Sequence, residues 1–342
     1  MQFSFKTIKE KCQKLFPPSS PEEDRSIEDH TAPLEEQAKV DSVSDAYSTW
    51  LCDLWQILRK QTYHQFKVED LELFGISYEK FELDTGVDLL PPDENTFFSP
   101  NFAKVKNLQP DPDQWGFEDI MDFLGEWPEP SKSPFYKEVK RDNAESLCSA
   151  LYVAFAILEW KEYEKKESIC LQHQTNWRYA DFDEAFDVNK WRVSGFWHNR
   201  GCDSTPQDVW LATGKPHIMA TIAHGYPSDN GSLLLGEIQA VIALMIVRLV
   251  NNSVPEHNIV PVLLYSYTGD KHGRVLQAYM SHRNLVIRTS KFYDFSAKHD
   301  AHLKLLLQYM VGDLVGTTMT LETPDLKSID TSVDSDSGFS SA

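Results

Sequence analysis

Four side chains of metal-ligating type lie close along the chain: His198, Cys202, His217 and His224. A zinc centre needs three or four such groups at tetrahedral positions, usually anchored by a tightly spaced pair. His198 and Cys202 have ligand spacing only if the backbone between them turns helical, and no CxxC or HExxH fixes a pair. The histidines therefore read as residues satisfied in or near a core, with a metal centre as the competing reading. A second set is Glu237 and Gln239, with Asp208 or Asp229 as a possible partner. Carboxylates on neighbouring strands can hold Mg²⁺ while a base or lysine activates water. Glu237-x-Gln239, however, lies inside LLLGEIQAVIALMIVRLVN, a helical pattern. Cys202 has histidines nearby, but nothing orients a Cys–His pair. Walker A, GxGxxG, GxSxG and kinase signatures are absent, so no cofactor is expected.

These groups need elements to position them. Asp142–Lys166 reads as a helix with Leu147, Leu151, Ala154, Phe155 and Leu158 on one stripe. Strands are expected at Trp191–Trp197, Asp208–Ala212 and His217–Ala223. Ser232–Asn251 is apolar almost all round, which marks a helix buried on several faces. Three strand-like runs follow, Val260–Tyr267, Arg274–Ser281 and Leu285–Ser290, and their short links favour an antiparallel meander. A last helix is expected over His299–Val315. Upstream, a helix beginning around Asp45 carries Tyr47, Trp50, Leu51, Leu54, Trp55 and Leu58 on one face. The expected class is α+β: a buried central helix packed on a mixed sheet, with a C-terminal three-stranded antiparallel meander and a helical N-terminal extension. The expected organisation is a mostly disordered segment 1–40, a helical and irregular region 41–141, a core domain 142–320 and a disordered acidic tail 321–342.

From residue 145 the order helix, three strands, helix, strand resembles the core of the PD-(D/E)-x-K nuclease-like fold over about 125 residues. The resemblance implies acidic residues on adjacent strands plus a lysine. The third strand has no Glu-x-Lys, so it implies a divergent, catalytically inactive relative more readily than a nuclease. Separately, LLLGEIQAVIALMIVRLVNN and VPVLLYSYTGDKHGRVLQAYMSHRNLVIRTSKFYDF, spanning roughly residues 230–295, resemble a lineage-restricted family of uncharacterised proteins of filamentous fungi. That resemblance implies an intracellular fungal protein and transfers no residue roles.

The formal net charge of −19 is unevenly spread. Residues 17–48, 109–130 and 321–342 carry 21 acids and 3 bases, which leaves the remaining body near neutral. Binding to nucleic acid is not expected of such a chain. The meander is locally basic, with Lys271, Arg274, Arg283, Arg288 and Lys291 among tyrosines. It reads as a surface on which the chain's own acidic segments rest rather than as a single-strand platform. Within 109–130, Trp115, Phe117, Met121 and Leu124 could present an acidic–aromatic helix to a partner protein or clip it onto its own domain. In the tail, Asp336-Ser337-Gly338-Phe339-Ser340-Ser341 fits a DSG-type phosphodegron, with Ser337 and Ser341 as phosphate acceptors. Five scattered cysteines read as reduced thiols, the N-terminal stretch lacks a continuous apolar core, and no apolar run approaches about 20 residues. The expectation is a cytoplasmic protein without a membrane span, with the nucleus also open to it. Its expected role is a non-enzymatic interaction or regulatory protein, and a metal-dependent hydrolase is the competing class.

Overall fold

The computed structural model describes residues 34–61, 64–83, 96–111, 136–162, 167–180, 204–251, 254–296 and 300–329. Four long helices and an eight-stranded mixed sheet make the body. The helices are α1 (Leu34–Leu58), α2 (Tyr136–Ala156), α3 (Leu235–Asn251) and α4 (Asp300–Met310). The strands are β1 (Ile76–Lys80), β2 (Trp177–Ala180), β3 (Ser204–Ala212), β4 (Ile218–His224), β5 (Val262–Thr268), β6 (His272–Met280), β7 (Leu285–Thr289) and β8 (Tyr293–Asp294).

Across the sheet the order is β1-β7-β6-β5-β4-β3-β2, with β8 paired to β6. β4 and β5 run parallel, as do β7 and β1, and the other pairs are antiparallel. Thus β5, β6 and β7 form the expected meander, and β5 is central because both its faces are apolar. Its alternate residues feed two cores. Val262 and Leu264 face the layer of α1 and α3, whereas Leu263, Tyr265 and Tyr267 face α2 and α4. Every residue of α3 from Leu235 to Leu249 is buried, which makes it the expected central helix. Among the described residues no helix is long and apolar enough to cross a membrane.

Several boundaries differ from expectation for local reasons. α1 begins at Leu34, eleven residues before Asp45, because Val40 and Val43 extend the buried stripe and Glu35 and Glu36 suit a helix N-terminus. α2 ends at Ala156, and the charged stretch that follows is not helical throughout: Glu159–Glu162 pairs with Leu108–Pro110 and Ser168–Cys170 in a small sheet. Trp160 decides this, since its ring is buried and its indole N–H donates to the terminal carbonyl of Ala154 at 2.7 Å. Ser232–Leu234 is a short strand paired with Gln65–Lys67, so α3 starts only at Leu235. α4 stops at Met310, and Asp313–Leu314 pairs with Phe98–Ser99.

The beginning of the acidic tail, expected to be disordered, lies against the body as far as Ile329. Asn258 grips the backbone of Thr320, its Nδ2 donating to the carbonyl at 2.7 Å and its Oδ1 accepting from the N–H at 2.9 Å. Further on, Trp50 Nε1 of α1 donates to the Lys327 carbonyl at 2.9 Å, and Lys327 N–H donates to the carbonyl of Arg283 in the β6–β7 turn at 3.0 Å. Leu326 and Ile329 pack on the α1/α3 core. A stretch of the tail therefore does meet the meander, through backbone groups.

Candidate functional site

At one end of the α1/α3 face, at the carboxyl ends of parallel β4 and β5, apolar residues give way to polar ones. Ser204 stands opposite His224 in the β3–β4 register, and Ser204 Oγ shares a 2.7 Å hydrogen bond with His224 Nδ1. His224 is fully buried, and among the described residues its Nε2 has no hydrogen-bond partner. Burial pushes its pKa down to about 4; Glu237 opposes that shift and Arg274 adds to it. The first turn of α3 closes over this pair because residue 236 is glycine. A Cβ there would stand 2.2 Å from Ser204 Oγ. Gly236→Ala, which would ordinarily favour a helix, is therefore expected to destabilise by about 1–3 kcal/mol. A thermal melt checks this, with Ser204→Gly in the same chain restoring part of the loss.

Glu237 is held from three sides. Its Oε2 accepts from Leu234 N–H at 2.8 Å, its Oε1 from Arg274 Nε at 2.8 Å, and Arg274 Nη2 completes a bidentate pair on Oε2. Both side chains are fully buried. Arg274 Nη1 donates to the carbonyls of Ser232 at 3.0 Å and Asp229 at 3.3 Å, and its guanidinium carbon lies 4.4 Å from the Phe292 ring centroid. Burial alone would raise the Glu237 carboxyl, but the Arg274 charge and hydrogen bonds more than reverse this and hold it below its ordinary value. Ser266 stands opposite Arg274 on β5 and is buried, and among the described residues its hydroxyl makes no hydrogen bond.

Asp208 lies on the other face. Between Pro206 and Val209 the β3 register shifts, so two residues oppose one on β4. Val209 keeps its place in the α1/α3 core while Asp208 turns toward α2. Asp208 N–H donates to Thr221 Oγ1 at 3.1 Å, Thr221 Oγ1 returns a bond to Asp208 Oδ2 at 3.1 Å, and Tyr179 OH donates to Oδ1 at 3.3 Å. Cys148 of α2 sits beside them, its thiol pushed well up by burial and by the Asp208 charge.

The sheet thus lies between Asp208 and Glu237. Gln239 does not join Glu237, because residues two apart on a helix point to different sides. It is buried in α3, and among the described residues its Nε2 has no hydrogen-bond partner. Of the expected histidines, His224 lies near enough to Glu237 to feel its charge. His217 packs on the opposite face against Phe97 and Phe98, with ring centroids 6.3 and 5.4 Å away, and burial followed by the Lys215 charge pushes its pKa down to about 4. His198, Cys202, Trp115, Phe117, Met121, Leu124, Ser337 and Ser341 lie outside the described residues. Among the described residues no group of three or more His, Cys, Asp or Glu could hold a metal ion.

Chemically the polar end is closed. Both Glu237 oxygens are committed, and a histidine this reluctant to take a proton is a poor general base near neutrality. Ser204 is not singled out by the sequence, and Arg274 is singled out only as one of the meander's basic residues, not as the partner of Glu237. The signal for Arg274 was a lone charge opening an apolar strand run, and the signal for Ser204 was absent. Compared with protein-family models, curated proteins and solved structures, the chain finds no match in any of the three.

Proposed function

We propose that the chain is a cytoplasmic, non-enzymatic interaction or regulatory protein that engages a protein partner. The observation that carries this reading is the separation of its acids. Asp208 and Glu237 point to opposite faces of the sheet, and Glu237 is neutralised by Arg274. A shared divalent ion needs carboxylates within about 2–2.6 Å of one point. The clamp that Asn258 and Trp50 form on residues 320–327 adds support, since it is a body surface shaped to hold extended polypeptide. The acidic–aromatic residues Trp115, Phe117, Met121 and Leu124 are the proposed contacts for the partner. The anionic balance of the chain argues against nucleic acid as that partner.

A second reading is a catalytically inactive relative of the PD-(D/E)-x-K nuclease-like fold. It is favoured by the order α2, antiparallel β2–β3–β4, α3, and β5 parallel to β4. At the positions metal chemistry would need, β3 offers Asp208, whereas β4 (IMATIAH) contains neither acid nor lysine.

Both readings predict the same behaviour toward metal. Mg²⁺, Mn²⁺ or EDTA should move the melting temperature by less than about 1 °C, because no site gains a ligand. Cleavage of single- or double-stranded DNA that Asp208→Asn abolishes, or stoichiometric metal in the purified chain, would overturn them. Affinity capture with Trp115, Phe117, Met121 and Leu124 replaced by Ala should lose a partner that the intact chain retains; an unchanged partner set removes that segment's role.

A further inference from the structure

The backbone of the stretch after α4 is hydrogen-bonded to the body at two places, with a span between them that carries no such bond among the described residues. The first clamp holds residues 318–320: the Thr318 carbonyl accepts from Asn258 and Ile259 N–H, Thr318 Oγ1 lies 2.7 Å from His257 Nδ1, and Asn258 grips Thr320. The second holds Lys327 between Trp50 and Arg283. Among the described residues, no backbone–backbone hydrogen bond ties the intervening Leu321–Leu326 to the body. At the middle of that span stands Thr323-Pro324, with Thr323 exposed.

We propose that Thr323 is a phosphorylation site for a proline-directed protein kinase, and that phosphate there releases the second clamp. Such a kinase must take the acceptor on an extended backbone free of other pairing, with proline next. The chain has other Ser/Thr-Pro dipeptides, which supply a comparison within the same fold. Ser99 is paired in a strand with Asp313, and Thr205 is paired in β3 with Ala223. Thr323 combines the proline, exposure and an unpaired backbone. The reaction moves the γ-phosphoryl group of Mg-ATP onto Thr323 Oγ1. The new P–O bond forms as the bond from the γ-phosphorus to its bridging oxygen breaks, ADP leaves, and the hydroxyl proton passes to the kinase's base.

Release follows from charge. The phosphate adds about −1.5 to −2 between Glu322 and Asp325. It does so beside α1, whose 25 residues carry Glu35, Glu36, Asp41, Asp45 and Asp53 against Lys39. Glu322 already lies near enough to α1 to raise the Tyr47 hydroxyl further, beyond the effect of burial. What holds the far clamp is small: two hydrogen bonds and the partly buried side chains of Leu326 and Ile329. Arg283 and Lys327, whose backbones form the second clamp, are both cationic, and a phosphate captured by them would tighten the strap instead.

The test treats the purified full chain with a purified proline-directed kinase and Mg-ATP, maps phosphate by mass spectrometry, and follows limited proteolysis within residues 321–329. Phosphate is expected on Thr323 and not on Ser99 or Thr205, with cleavage of the strap at least fivefold faster than in the unmodified chain. Thr323→Val, a change at an exposed position, should abolish both effects. Absence of phosphate at Thr323, while a peptide spanning 317–329 is modified, overturns the site. Phosphate with unchanged or slower cleavage overturns the release.

Discussion

Arg274→Met should destabilise the protein by about 3–5 kcal/mol, the largest effect expected of any single substitution at the polar end of the sheet. The reason is what the change leaves behind. Glu237 would remain in a fully buried place with its two guanidinium donors gone and one backbone N–H left, that of Leu234. Two carbonyls, of Ser232 and Asp229, would lose a donor as well. Glu237→Leu should cost a similar amount, because it strands the guanidinium. The pair itself adds little net stability over an apolar replacement, since desolvating two charges offsets most of their attraction. Glu237→Leu/Arg274→Met in one chain should therefore be more stable than either single variant, though still below the wild type because Leu234 N–H loses its acceptor. Urea titration at pH 7 checks this cycle. A double variant as unstable as the sum of the singles would show that Glu237 and Arg274 act independently, contrary to their bidentate geometry.

That pair also marks where the sequence stops being legible. α3 could be read because an unbroken apolar run admits little besides a helix buried on all sides, and the meander could be read because short links leave adjacent strands few ways to pair. Arg274 could not. Counting charges along 260–304 puts it on a basic surface, whereas in space its charge is cancelled inside the core by a residue 37 positions away. Arg288 is also paired at long range, with Glu79 across the parallel β7–β1 edge, although that pair lies at the surface. Long-range pairing has no signature in composition. The early start of α1 was hidden for a different reason: the acidic composition of residues 34–44 outweighed the sparse stripe of Val40 and Val43, whose value depends on α3 being there to receive it. The clamp on residues 318–329 rests on two apolar side chains three apart in a polar tail, too faint a pattern to read without Trp50 and Asn258 in place.

Stability should fall steeply as pH drops from about 6.5 to about 4, by roughly 1.4 kcal/mol per pH unit for each of His217 and His224. The sign follows from the neutral form being the folded one. Burial lowers both pKa values from 6.5 to about 4, so through this window the unfolded chain binds protons that the folded chain refuses. The contribution is fully present above the unfolded pKa and is used up once the folded pKa is passed. His257, also lowered, first by burial, acts in the same direction. Glu237 joins near the acid end: its folded pKa lies below 4.5, so its contribution is present above 4.5 and is lost as pH falls through the folded value. Replacing one histidine at a time separates the terms. His217→Phe suits a site already lined by Phe97 and Phe98, and His224→Asn keeps a partner for Ser204. Each should flatten the slope of unfolding free energy against pH by about one proton's worth, whatever it does to stability at pH 7. A slope unchanged in both variants would mean that neither imidazole is kept neutral by the fold, and that the polar end of the sheet is open to water.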